Sequence, residues 1–210
     1  MAAEKYQSVV MDKDPQINAY ILTGGKSRRF GSTKALAEIH GMTFIDKIHN
    51  VIAPHFKEVY SVGKKKFSSL MNNIPDKYEK QTPIIGLISA MHHSHTNWNF
   101  ILSVDIPFIS TQVIMQLKQA IHNNPSADII IPQVKKQLMP LTAMYHKRNL
   151  PAIERTFIEG NLSLMSIVHS LKSTILKMDE FENELANINT VEAFESQLAK
   201  QTNTQIVEES

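Results

Sequence analysis

The stretch ILTGGKSRRFGSTK, from Ile21 to Lys34, decides how the rest of the chain is read. It is entered by a short apolar run, Ile17 to Thr23, which Gly24 and Gly25 halt. So brief a run, rich in β-branched residues and stopped by glycine, favours a buried strand over a helix. Beyond the turn stand the cations Lys26, Arg28, Arg29 and Lys34. Backbone N–H groups approach oxygen anions only where no side chain intervenes, so glycines beside cations make a loop fit to close around a polyphosphate. A Walker A loop would need a glycine where Tyr20 stands, and the intervals among Gly24, Gly25 and Gly31 do not fit the dinucleotide fingerprint. Taken alone, the stretch also admits a plainer reading, in which glycines end a strand and cations solvate a loop.

Outward from this loop, strand and helix patterns alternate. Phe44, Ile45, Ile48, Val51 and Ile52 fall at helical spacing until Pro54. Glu58 to Val62 reads as a strand, Gly86 to His93 as a short helix, and Asn99 to Val104 as a buried strand ending at Asp105. Ser110 is placed to cap the helix of Val113, Ile114, Leu117 and Ile121, which runs to Asn123. Strands at Asp128 to Pro132 and Leu141 to Tyr145 precede helices at Arg148 to Glu159, stopped by Gly160, and at Leu164 to Leu171. A last helix is expected over Val191 to Lys200. This succession is that of an α/β fold with a mostly parallel sheet and crossover helices. With no repeat or convincing linker, one domain is expected over residues 17–200, with a loose polar extension over 1–16 and a polar tail over 201–210.

Composition bounds the function. The chain has 210 residues, 42% of them hydrophobic and 20% charged, which suits a soluble globular domain. A net charge of +2 gives no broad face for nucleic acid or membrane, so an anionic ligand should be small. Absence of cysteine removes disulfides, thiolate nucleophiles and Cys-ligated zinc. No apolar run approaches the ~20 residues a spanning helix requires, and the first sixteen residues do not read as a secretory signal, so a cytoplasmic location is expected.

Four motifs in order point to a family. Leu22, Gly24, Gly25, Ser27, Arg29, Gly31 and Lys34 match L-A-G-G-x-S-x-R-M/F-G-x-x-K, the signature of nucleotidyltransferases that build molybdenum cofactor. Thr82-Pro-Ile-Ile-Gly86 is similar to that family's G-P-L-x-G turn, Ser103-Val-Asp-Ile-Pro107 to its strand end with C/V-D-x-P, and Asn187-Ile-Asn-Thr190 to its N-I-N-T. The chain thus resembles the molybdenum cofactor guanylyltransferases, and the Gly24-Gly25 turn leans toward guanine over the relatives that handle cytidine or sugar nucleotides. The resemblance implies a Rossmann-like three-layer nucleotidyltransferase domain. It implies transfer of GMP from GTP to molybdopterin with release of pyrophosphate, a Mg2+ cofactor, and molybdoenzymes or other cofactor-pathway proteins as possible partners.

The resemblance also implies roles. Leu22, Thr23 and Gly24 would set backbone against base and ribose, Gly25 to Gly31 would wrap the phosphates, and Arg29 and Lys34 would neutralise their charge. Such a transfer joins three anionic parties, so the protein must supply position and positive charge instead of a covalent nucleophile. Asp105, at the carboxyl end of its strand, would ligate the magnesium; taken in isolation it reads better as an N-cap or turn aspartate before Pro107, and Gly24-Gly25 and Lys34 upstream turn the balance. Asp76 stands roughly where the family reads guanine, with Glu79 as competitor, and Asn187 and Asn189 would lie near metal and pterin.

Three positions depart from the family pattern: Thr33 where aspartate is common, Thr82 in place of glycine, and Leu162 where relatives carry a basic residue. They are the best support for one rival reading, a non-catalytic nucleotide-binding relative, against which Lys34 and Asp105 are retained; the other rival is a nucleotidyltransferase of the same fold that uses CTP or a sugar phosphate. His92, His93 and His95 have no acidic partner nearby in sequence and read as a solvated helix end, as Lys64-Lys-Lys66 reads as a solvated turn. Trp98, Met91, Met115 and Met144 read as core filling.

Overall fold

A computed structural model describes residues 17–24, 34–36, 38, 39, 41–80, 82–190 and 193–197. The chain opens with β1 (Ile17–Leu22), a 3-10 turn (Lys34–Leu36), and the small antiparallel pair β2 (Glu38–Ile39) and β3 (Met42–Thr43). There follow α1 (Phe44–Ile52), β4 (Val59–Val62), β5 (Asn72–Ile74), α2 (Pro83–His93), β6 (Trp98–Ser103) and α3 (Thr111–Asn123). The second half holds β7 (Ile129–Val134), β8 (Gln137–Leu138), β9 (Thr142–His146), α4 (Leu150–Ile158), α5 (Leu164–Ser170) and β10 (Ser173–Lys177).

Among the described residues one sheet runs in the order β10-β7-β9-β6-β1-β4-β5, with β8 paired to β7. β1 lies parallel to β4 and β6, β5 extends β4 in parallel, and β10 is parallel to β7. β9 is inserted antiparallel between β6 and β7. Sheet and helices therefore give the expected α/β fold with a mostly parallel sheet, reversed locally at β9.

Alternation along β1 divides the core in two. Ile17, Ala19 and Ile21 face a cluster with Phe44, Ile45 and Ile48 of α1 and Val113, Ile114 and Leu117 of α3. Tyr20 and Leu22 face the other, with Ile84, Ile85, Leu87 and Ile88 of α2, Ile153 of α4 and Ile167 of α5. The result is three layers, helices on either side of the sheet. Each wholly buried Ile or Phe side chain contributes roughly 1.5–3 kcal/mol of transfer free energy. That makes β1, buried at all six residues, the spine of the fold.

Several sequence expectations need correction. α2 starts at Pro83, three residues before Gly86, because proline suits the first helical position, where its missing N–H has no partner to lose. The segment from Arg148 splits: Lys147–Asn149 is a 3-10 turn and α4 proper begins at Leu150. Gly160 does end it, with φ +82° and its amide donating to the Phe157 carbonyl. Strands β2, β3, β5, β8 and β10 carry no signal read from sequence. Of the last expected helix, residues 193–197 are helical. Residues 1–16 and 201–210 lie outside the described residues.

Candidate active site

Parallel register brings four chain crossings to the carboxyl edge of the sheet. Leu22 pairs with Val62 of β4 and Ser103 of β6, and Val62 pairs with Ile74 of β5. The residues that follow, Thr23-Gly24, Gly63-Lys64, Pro75-Asp76 and Val104-Asp105, leave the sheet side by side. Open α/β sheets bind ligands at this edge, where loops from neighbouring strands can converge on one molecule.

The turn after β1 is held from both sides. Thr23 donates twice to the Val62 carbonyl, from its amide and its hydroxyl, each at 2.9 Å. On the other flank the Val104 amide donates to the Leu22 carbonyl at 3.1 Å. Gly63 has no room for a side chain, since a Cβ there would fall 2.4 Å from Thr23 Oγ1. Gly86 of α2 is similarly close, its absent Cβ only 3.2 Å from the Leu22 methyls, so the helix seats directly on the residue that begins the turn. Gly24 differs: a Cβ there would meet no described atom within 4 Å. Nothing in the described packing demands glycine at that position.

Asp105 sits half-buried in the turn after β6. Its amide takes the Ser103 hydroxyl as acceptor at 3.2 Å, and its carbonyl accepts from the Ile188 amide at 2.8 Å. That last bond joins two of the sequence motifs. Ile188 is 2% exposed and packs in the core beside Ile106 and Phe108, while Asn187 and Asn189 on either side of it are exposed. The alternation plants Ile188 as an anchor and turns its two asparagine neighbours outward next to Asp105. The structure thus brings together Leu22, Thr23, Gly24, Asp105, Asn187 and Asn189.

Asp76 is half-buried beyond β5. Burial raises its carboxyl pKa above the ordinary aspartate value, and the nearby Lys64 charge only partly opposes this. Its competitor Glu79 is exposed. The chain around Asp76 is tied to β4: Gly63 donates its amide to the Ile74 carbonyl at 3.0 Å, and Asn73 Nδ2 donates to the Gly63 carbonyl at 3.0 Å. Lys34 opens the 3-10 turn Lys34–Leu36. Arg29 and Gly25, with Lys26, Arg28, Gly31 and Thr33, lie outside the described residues.

The comparisons with known proteins decide the family. Residues 19–175 match the family described as the MobA-like NTP transferase domain. The chain belongs to that family. A Flavobacterium johnsoniae relative, named a probable molybdenum cofactor guanylyltransferase, is 32% identical over 84% of this chain and 93% of its own. An Aquifex aeolicus relative of the same name is 32% identical over 86% of this chain and 89% of its own. A solved structure of molybdopterin-guanine dinucleotide biosynthesis protein A from Archaeoglobus fulgidus superposes with a TM-score of 0.75 at 20% identity, over 89% of this chain and 99% of that one. The protein is therefore a nucleotidyltransferase of the molybdenum cofactor branch.

Within this MobA-like frame some expectations change. Among the described residues no group of three or more His, Asp or Glu side chains is placed to hold a metal ion, so Asp105 is not part of an acidic cluster. The histidines at the end of α2 are not simply solvated. His92 Nε2 meets Glu154 Oε1 of α4 at 2.5 Å, an acidic partner remote in sequence, and Lys77 joins both. His93 packs against Tyr60 and shares a hydrogen bond with the Tyr20 hydroxyl at 3.2 Å. Lys64 to Lys66 are exposed as expected. Trp98, Met91 and Met144 are buried, whereas Met115 is only partly so. Leu162, where relatives carry a cation, packs against the α2 side of the core. Among the described residues no helix is long and apolar enough to cross a membrane. What sequence reasoning missed is Gly63, whose role follows only from the approach of Thr23; a glycine directly after a strand was its one signal.

Proposed function

We propose that this protein transfers GMP from GTP to molybdopterin-bound molybdenum, yielding the guanine dinucleotide form of the cofactor and pyrophosphate. The observation that carries the reading is the bond from the Ile188 amide to the Asp105 carbonyl. It sets the exposed Asn187 and Asn189 beside Asp105, at the same sheet edge as the exposed Gly24. Relatives covering most of the chain are named for this activity, among them a Desulfosudis oleivorans molybdenum cofactor guanylyltransferase at 26% identity.

In this reading an oxygen of the molybdopterin phosphate attacks the α-phosphorus of GTP, and the bond to the bridging oxygen of the β-phosphate breaks. Pyrophosphate leaves with that electron pair. Leu22, Thr23 and Gly24 set backbone against base and ribose, and Gly25 to Gly31, outside the described residues, would serve the phosphates. Arg29 grips phosphate oxygens with its planar fork, while Lys34 supplies a point charge as negative charge grows. Asp76 accepts from guanine N1–H and the 2-amino group, a pair of donors that cytosine and adenine do not present together.

Asp105 would hold Mg2+, with Asn187 and Asn189 close by on the pterin side. A single half-buried carboxylate at an open sheet edge fits magnesium, a hard cation that keeps waters and phosphate oxygens in most of its shell. Bound there, the metal would neutralise charge shared between the reacting oxygens. The finished cofactor would pass to a molybdoenzyme or another protein of the pathway.

Pyrophosphate release with GTP, magnesium and molybdopterin tests the reading, with CTP and ATP as competing donors. GTP should turn over alone among the three. Preference for CTP would overturn the guanine assignment, and no turnover with any donor would favour a non-catalytic role. Lys34→Ala should lower kcat by ~10²-fold or more while nucleotide affinity changes far less.

A further inference from the structure

The segment that carries Asp76 is fixed on both sides by groups outside the catalytic set. On the sheet side, the Ile74 carbonyl accepts from Gly63. Gly63 is in turn held by Asn73 Nδ2, whose own side-chain Oδ1 accepts the Ser61 hydroxyl at 3.0 Å. On the helix side, the amide of Lys77, directly after Asp76, donates to Ser89 Oγ of α2 at 2.8 Å. That hydroxyl donates onward to the Ile85 carbonyl at 2.8 Å, so both of its hydrogen-bonding roles are used at a site 3% exposed. The same α2 rests through Gly86 on Leu22, and the same Gly63 abuts the Thr23 hydroxyl. Two short routes of hydrogen bonds, each completed by a close packing contact, thus link the backbone around Asp76 to the turn after β1.

We propose that Ser89 and Asn73 are positioning residues that set guanine selectivity, by holding Asp76 in register with Leu22, Thr23 and Gly24. The proposal rests on the reading of Asp76 as the guanine acceptor. A carboxylate tells guanine from other bases only if both oxygens meet their donors at once, and such sites lose discrimination with displacements of well under an ångström. An exposed loop held by its own residues would allow such displacements. Here the peptide after Asp76 is held by one buried hydroxyl, and the peptide two residues before it by an edge asparagine acting through Gly63. Burial of Asp76, which raises its pKa, makes a misplaced oxygen costlier still because less water is present to replace the lost donor.

Inosine triphosphate separates a positioning effect from a general loss. It keeps N1–H but lacks the 2-amino group, so the ratio of kcat/KM for GTP over ITP reads the second contact to Asp76. Ser89→Ala and Asn73→Ala should each lower that ratio by ~3- to 10-fold, mainly through KM for GTP, with kcat for ITP little changed. Asp76→Asn should abolish the preference, and Ser89→Ala added to it should change the ratio no further. Equal losses for both nucleotides in the single variants, or a ratio that falls additively in the double variant, would overturn the positioning role. An unaltered ratio in Asp76→Asn would overturn the guanine role of Asp76, and the proposal with it. Should Ser89→Ala fail to fold, Asn73→Ala decides the matter alone, since Asn73 is only half-buried at the sheet edge.

Discussion

Gly63 and Asp76 show how single residues govern the site. Gly63→Ala would place a methyl carbon 2.4 Å from Thr23 Oγ1, too close for either group to remain in place. A loss of ~1–3 kcal/mol is expected from such overpacking, read by denaturant unfolding, and adding Thr23→Ala should recover part of it. No recovery would mean that the hydroxyl is not the obstacle. Asp76 yields a pH prediction of two opposite signs. Its folded pKa is raised by burial, so its contribution to stability is fully present below the unfolded value and is lost as pH rises through the raised folded value. In the proposed role Asp76 accepts from guanine only when ionised, so GTP binding should weaken as pH falls through that raised value. Titration of GTP affinity against pH should show this limb in the wild type and lose it in Asp76→Asn.

Caps and anchors decide which elements stay in place. Ser110 is the N-cap of α3, its hydroxyl accepting from the Val113 amide at 3.4 Å. Ser110→Ala should cost about 1 kcal/mol in thermal or chemical unfolding and leave nucleotide selectivity untouched. Ile188 belongs to no regular element, yet its side chain is buried and its amide holds Asp105. Ile188→Ala should cost ~2–5 kcal/mol and also raise the magnesium concentration needed for half-maximal activity. A variant with lowered stability but unchanged magnesium dependence would separate the anchor from the site. The sequence disclosed Ser110 because a capping hydroxyl lies next to a periodic apolar run. It disclosed Ile188 only as the centre of N-I-N-T, since a lone isoleucine between asparagines carries no periodicity.

Across the whole molecule the buried parallel strands were legible and the sheet margins were not. β1 and β6 are buried at every residue and mostly apolar, broken only by Asn18, Asn99 and Ser103, because helices cover both faces, and such runs are visible without context. β5 is three residues, Asn72–Ile74, two of them polar, and exists because β4 offers an open parallel edge. β10 is half-exposed at the opposite margin, with alternation too short to separate from a loop. The places of Gly24 and Asp105 at the sheet edge were legible from local pattern, since each follows a buried strand. The bracing of Asp76 was not, since it depends on Ser89 and Gly63, which only the register of β4 and β5 and the seating of α2 bring near. The far half of the sheet has its own acid-sensitive tie. Asp128 accepts from Arg148 Nε at 2.8 Å and from the Lys172 amide at 3.1 Å, joining β7 to the chain beyond β9 and to the start of β10. Burial would raise its pKa, but those donors together hold it below the ordinary value, so its stabilisation is present above the unfolded pKa and is lost as pH falls through the folded one. The difference in Tm between wild type and Asp128→Asn should shrink across that acid window; a difference independent of pH would contradict the tie.

The bond from Ile188 to Asp105 also orders events in time. On a translating ribosome, Ile188, whose amide ties down the Asp105 carbonyl, emerges only after every described strand of the sheet has been made. The turn after β6 thus gains its tie to the C-terminal segment last, when every described strand of the sheet it leaves is already synthesised.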